Sequence, residues 1–173
     1  PGVVTKMALG VQPWLKKELE KAGHSVWMPR MPDSENPDIK KQLPFLIKSK
    51  EITRSCVMVG HSAACPVILG LLQTVDFKIA KAVLVAGYYH RSDEDISKSW
   101  PKSYNFSLIK DHCDDFLFIA SDDDPWGCND AHSRPYFEKL GGTMIIIKGA
   151  GHFGSMTFKK PLYKFPLLLK LTL

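Results

Sequence analysis

Three polar residues in this chain sit in matching surroundings, and together they could move a proton onto and off a reacting oxygen. Ser62 follows the apolar run Val57-Met58-Val59 through the turn Gly60-His61 and leads into Ala63-Ala64-Cys65, a helix-compatible segment. Asp124 follows Phe116-Leu117-Phe118-Ile119-Ala120, and His152 follows Thr143-Met144-Ile145-Ile146-Ile147. Each apolar run reads as a buried strand, so each polar residue stands just past a strand's carboxyl end. A serine hydroxyl is a weak nucleophile until an imidazole takes its proton and a carboxylate fixes the imidazole tautomer. The order Ser, Asp, His with a sharp strand-to-helix turn at the serine is one of the few chain orders known to assemble that set.

The acidic run Asp122-Asp123-Asp124 also has simpler readings, as a solvated turn or as a cation site. No second Asp/His cluster with ligand spacing accompanies it, so no metal is expected. Asp124 is the preferred orienting carboxylate because Pro125 biases it toward extended dihedrals, and Asp123 is the fallback. His61 neighbours the serine, but consecutive side chains at a tight turn point apart, so it is expected to line the site instead of acting as the base. His24, His90, His112 and His132 lack a comparable strand-end setting.

The segments Gly60-His61-Ser62, Asp123-Asp124-Pro125 and Gly151-His152-Phe153 resemble the triad segments of the small serine hydrolases typified by retinoblastoma-binding protein nine. The likeness extends to Trp14-Leu15-Lys16-Lys17-Glu18-Leu19-Glu20, Met31-Pro32-Asp33, Leu43-Pro44-Phe45 and Ala82-Val83-Leu84-Val85, and so covers most of residues 1 to 155. The resemblance implies an α/β-hydrolase-like fold of three α/β/α layers on a mostly parallel sheet, without a large cap. It implies cleavage of small ester or amide substrates through an acyl-enzyme, with Ser62 as nucleophile, Asp124 as orienting carboxylate, His152 as general base, and no cofactor. One oxyanion donor would be the backbone N–H of Ala63, and the other would come from a first loop at Gly2 or Val3.

The sequence departs from that pattern in three places. The family's first strand should end in Pro-Gly followed by an Asn and glycine-rich loop, whereas this chain begins Pro1-Gly2 and continues Val3-Val4-Thr5-Lys6. The first central strand is therefore expected to be missing and the sequence to be an N-terminally truncated fragment of a single domain spanning 1–173, since an unfilled central slot would leave buried backbone groups unpaired. Residues 156–173 form an atypical tail, in which Pro161 and Pro166 oppose a long closing helix and 167–171 are too few for another full one. Finally, no Leu-x-Cys-x-Glu segment is present, so the retinoblastoma-pocket partner is not expected.

Composition narrows the remaining classes. With 173 residues, 45% hydrophobic and 24% charged, the chain suffices for one core. The net charge of +5 comes from dispersed lysines without a basic helix or aromatic platform, which argues against nucleic acid. Cys56, Cys65, Cys113 and Cys128 form no C-x-x-C pair and fall in or near apolar elements, as in a reduced intracellular protein; a cytoplasmic monomer is expected, with the nucleus as the other compartment. No apolar stretch approaches the roughly twenty residues that span a bilayer.

Helical spacing of Trp14, Leu15, Leu19 and Ala22 after Pro13, with Gly23 as the stop, predicts a first helix. Val26-Trp27-Met28 predicts a strand, Ile39 to Leu46 a short helix, Ala63 to Thr74 the helix after the turn, Ala82 to Ala86 a strand, and Tyr136 to Leu140 the end of a helix. Tyr88-Tyr89-His90 would stand at a strand's carboxyl end as pocket walls, and Ser92 to Asn105 would form a flap. Two rival readings remain: a catalytically impaired binding or scaffold protein on the same fold, and a nucleotide-binding doubly wound domain, which would need a glycine-rich phosphate loop that the sequence lacks.

Overall fold

The computed structural model describes residues 2–6, 11–34, 37–89, 100–101, 103–154 and 162–173. His90, residues 92–99 and 102 of the expected flap and residues 156–161 of the tail lie outside them. Strands β1 (Gly2–Lys6), β2 (Ser25–Trp27), β3 (Val57–His61), β4 (Lys81–Val85), β5 (Phe116–Ser121) and β6 (Thr143–Ile147) alternate with helices α1 (Gln12–Lys21), α2 (Ile39–Ser49), α3 (Ala64–Leu72), α4 (Phe106–Asp111), α5 (Asp130–Leu140) and α6 (Pro166–Thr172). All strand pairings are parallel, in the order β2-β1-β3-β4-β5-β6.

The expectation of a missing central strand is wrong. Gly2–Lys6 occupies that slot, with Val3 opposite both Val26 of β2 and Val57 of β3, and Lys6 opposite Gly60. The run Val3-Val4-Thr5 is β-branched and suits a pleated interior position, so these residues form the strand where the family comparison suggested a loop.

Alternation along the strands separates two cores. Met58, Ala82, Leu84, Phe116 and Phe118 face one cluster, with Leu46 of α2, Leu69 of α3, Ile109 of α4 and Leu140 of α5. Val57, Val59, Val83, Val85, Leu117 and Ile119 face the other, with Leu15 and Leu19 of α1 and Leu168 of α6. Helices thus cover both faces, as a parallel sheet requires. Every residue of α3 is buried, which fits its position between the sheet and its neighbouring helices.

The tail also differs from expectation. Pro166 begins α6 within its first turn, where the missing N–H costs no intrahelical bond. Leu168 is fully buried, and Phe165 stacks on Phe153 at 5.4 Å between ring centroids. Among the described residues no helix is long and apolar enough to cross a membrane.

If α6 is integral to the core, Leu168→Ala removes a buried side chain and costs about 2–5 kcal/mol. Urea unfolding should show that loss as a lower midpoint with an unchanged slope, whereas a tail that merely lies on the surface would leave the midpoint where it was.

Candidate active site

The parallel register lines up four strand ends. His61 lies opposite Val85, Val85 opposite Ile119, and Ile119 opposite Ile145. The loops that follow therefore leave the sheet at one edge, the position where ligand sites of open parallel sheets form.

Ser62 occupies the turn between β3 and α3 with φ +54°, a left-handed conformation that costs a non-glycine residue about 1–3 kcal/mol. Two backbone bonds fix the turn: Ser62 N–H donates to the Val85 carbonyl at 2.9 Å, and Cys65 N–H donates to the Ser62 carbonyl at 3.0 Å. A Cβ at Gly60 would stand 2.7 Å from Ile68 Cδ1 and 3.3 Å from the Ala64 backbone, so only glycine lets strand and helix approach this closely. Ala64, two residues after the serine, starts α3 and is buried there. The Ala63 N–H, at the amino end of α3, meets no acceptor among the described residues.

Each of the three consecutive aspartates grips the histidine loop at a different point. Asp122 accepts from Gly149 N–H at 2.8 Å and Asp123 from Gly151 N–H at 2.7 Å, while Asp124 Oδ2 lies 2.7 Å from His152 Nδ1. Ser121 Oγ joins the clasp, accepting from Ala150 N–H and donating to Asp123. A carboxylate only accepts, so His152 carries its proton on Nδ1 and keeps the Nε2 lone pair free. Asp124 is itself held by Trp126 N–H on Oδ1 at 2.8 Å, and its side chain is wholly shielded from solvent. The choice between Asp124 and Asp123 thus resolves to Asp124 as the histidine's partner, with Asp123 on the loop backbone.

His61 does not line the cavity; it packs behind His152. Its Nε2–H donates to the His152 carbonyl at 2.8 Å, and the two rings meet edge to face at 4.6 Å. Burial, reinforced by the adjacent His152, pushes the His61 pKa down to about 4. β3 ends so that His61 points at the histidine loop instead of into the opening, where the sequence places it.

A cavity of about 210 Å³ opens at this edge, lined by Ser62, Tyr88, Trp126, Cys128 and His152. No hydrogen bond joins Ser62 Oγ to His152 among the described residues; bonds of this kind often tighten only with substrate present. Tyr88 forms a fixed wall, with its ring 5.1 Å from Trp100 and 5.5 Å from His132 and its carbonyl accepting from Trp100 Nε1–H at 2.7 Å. Trp126 and Cys128 went unread because a half-exposed indole and a cysteine in a turn carry no spacing signal. Gly2 and Val3 are misplaced by the sequence reading: β1 runs toward the site, so they sit at its far end, opposite Ser25 and Val57, and cannot donate to an oxyanion at Ser62.

A parallel three-layer sheet with a strained serine turn and a buried Asp–His pair on the facing loop defines an α/β-hydrolase. The chain belongs to the serine hydrolase family, whose model, described as Serine hydrolase, matches residues 6–161. The sequence matches no curated protein. Among solved structures, the Bacillus subtilis ydeN gene product is similar at a TM-score of 0.83 and 20% identity over 98% of this chain and 94% of that one. Carboxylesterase structures from the thaumarchaeon Nitrososphaera gargenis give 0.73 at 11% identity, over 98% and 89%. Est1E of Butyrivibrio proteoclasticus with bound ferulic acid gives 0.71 at 9% identity, over 99% and 86%. The protein is a hydrolase.

The depressed His61 pKa has a measurable consequence. Between the ordinary value of 6.5 and about 4, the unfolded chain binds a proton at His61 that the folded chain refuses. Stability should therefore fall as the pH drops through that window and level off below it, with about 2 kcal/mol lost from this group between pH 7 and pH 5. Urea unfolding at the two pH values should show that increment in the native sequence and not in His61→Phe.

Proposed function

We propose that the protein hydrolyses small carboxylic esters or amides through an acyl-enzyme on Ser62. The observation that carries the reading is the 2.7 Å bond between buried Asp124 and His152, with His152 and Ser62 lining the same cavity. In this scheme Ser62 Oγ attacks the substrate carbonyl carbon while its proton passes to His152 Nε2. Asp124 holds the Nδ1–H tautomer and stabilises the imidazolium that forms. The oxyanion takes the Ala63 N–H as one donor, where the amino end of α3 also favours negative charge. The tetrahedral intermediate collapses as the imidazolium returns its proton to the leaving group, and water then repeats the sequence to free the acid and Ser62.

Several features support this reading over a binding role. Ser62 is held in a left-handed conformation, and five side chains, those of Ser121, Asp122, Asp123, Asp124 and His61, bond one histidine loop. The likeness of the triad segments to the small serine hydrolases typified by retinoblastoma-binding protein nine points the same way, as do fold neighbours that include a carboxylesterase. The cavity suits a modest acyl or leaving group.

A fluorophosphonate probe should label the protein, and Ser62→Ala should abolish labelling and lower hydrolysis of p-nitrophenyl acetate at least about a thousandfold. Asp124→Asn should lower kcat by about ten-thousandfold with little change in KM, because it leaves the imidazole in the wrong tautomer. Labelling that survives Ser62→Ala would remove Ser62 as nucleophile, and a folded protein that neither labels nor hydrolyses would leave the binding or scaffold role.

A further inference from the structure

Besides forming the proton relay, the site gathers three atoms of metal-ligand type. Asp124, Cys128 and His152 each contribute one, and all three lie within 4.8 Å of one another. The turn after the carboxylate causes this: Gly127 N–H donates to the Asp124 carbonyl at 3.1 Å, which returns residue 128 toward residue 124. Asp124 and Cys128 are buried, while Cys128 and His152 face the cavity that reaches Ser62. The remaining aspartates of the run take no part, since Asp122 and Asp123 accept from the backbone of the histidine loop.

We propose that Asp124, Cys128 and His152 form an inhibitory site for a divalent ion of the zinc class. A thiolate, an imidazole and a carboxylate together suit Zn²⁺, Co²⁺ or Cd²⁺, and the sulfur disfavours Mg²⁺ and Ca²⁺. Ligand atoms around tetrahedral zinc are about 3.5 Å apart, so Cys128 must approach by up to about an ångström while Asp124 and His152, now 2.7 Å apart, open slightly to admit the ion, and water from the cavity completes the fourth position. Binding oxidises nothing. The ion takes the place of the thiol proton of Cys128, which leaves to solvent, while the Nδ1 proton of His152 moves by way of solvent to Nε2, so that the ring stays neutral and Nδ1 binds the ion.

Inhibition follows from the electron count of the ring. A neutral imidazole has one lone pair, and once that pair binds the ion none is left to accept the Ser62 proton. This consequence rests on the hydrolytic reading above; the binding itself does not.

Cobalt titration of the reduced full chain separates the two. Co²⁺ should produce a thiolate-to-cobalt charge-transfer absorption that Zn²⁺ displaces, and Zn²⁺ should halt p-nitrophenyl acetate hydrolysis in parallel, with a chelator restoring both. Cys128→Ser, with Cys128→Ala as a second variant should serine disturb folding, should lose the absorption and need at least tenfold more Zn²⁺ for half-inhibition relative to its own uninhibited rate. Cys113→Ser should keep the absorption. The site is refuted if the native chain shows no charge-transfer band, or if the band survives loss of Cys128. A chain that binds Co²⁺ through Cys128 yet never hydrolyses an ester would keep the metal site and overturn the catalytic reading, and ester hydrolysis without a Cys128-dependent band would do the reverse.

Discussion

Parallel pairing in register is the constraint on which the rest of this molecule depends. Because β3, β4, β5 and β6 run the same way with His61, Val85, Ile119 and Ile145 side by side, four loops far apart in sequence must emerge together. No single loop then needs to be long to reach the others. The serine turn needs only the residues between β3 and α3, and it is held from its neighbour strand through the Val85 carbonyl. The two sheet faces are packed by separate clusters, which the loop side chains Tyr89 on one face and Cys128 and Phe153 on the other join.

Within the edge, position is enforced by charge-assisted bonds more than by packing. Bonds from an ionised carboxylate to backbone N–H groups are roughly twice as strong as neutral ones. Asp122, Asp123 and Asp124 place three such acceptors on one turn, and the loop of residues 149–152 fits onto all three. His61 closes the loop from behind through the His152 carbonyl. With Ser121 Oγ on Ala150 N–H, a glycine-bearing loop that would otherwise sample many conformations is fixed at five points within four residues.

Much of this was legible in the sequence, and the reasons are particular. Ser62, Asp124 and His152 each follow an apolar strand, so a parallel sheet brings them to one edge. The order of the three suggests the chemistry, and Pro125 favours the correct aspartate. What failed were inferences that needed register. Gly2 and Val3 belong to the right strand, yet nothing in their identity says at which end of it they lie, and pairing with Ser25 and Val57 decides that against them. His61 needed a direction that periodicity does not supply at the last residue of a strand. Pro166 was taken as a helix breaker, whereas its place in the first turn makes it a helix starter. Cys128 belongs to the site only because a turn folds it back, and a turn's closure is a tertiary fact.

The stack of Phe153 on Phe165 ties the histidine loop to the segment that leads into α6. During synthesis the nucleophile turn and the aspartate turn can form on the growing sheet, but the residue after His152 lacks its aromatic support until Phe165 and α6 have cleared the ribosome. The histidine loop is then the last of the three turns to gain its packing as the chain grows, after those of Ser62 and Asp124.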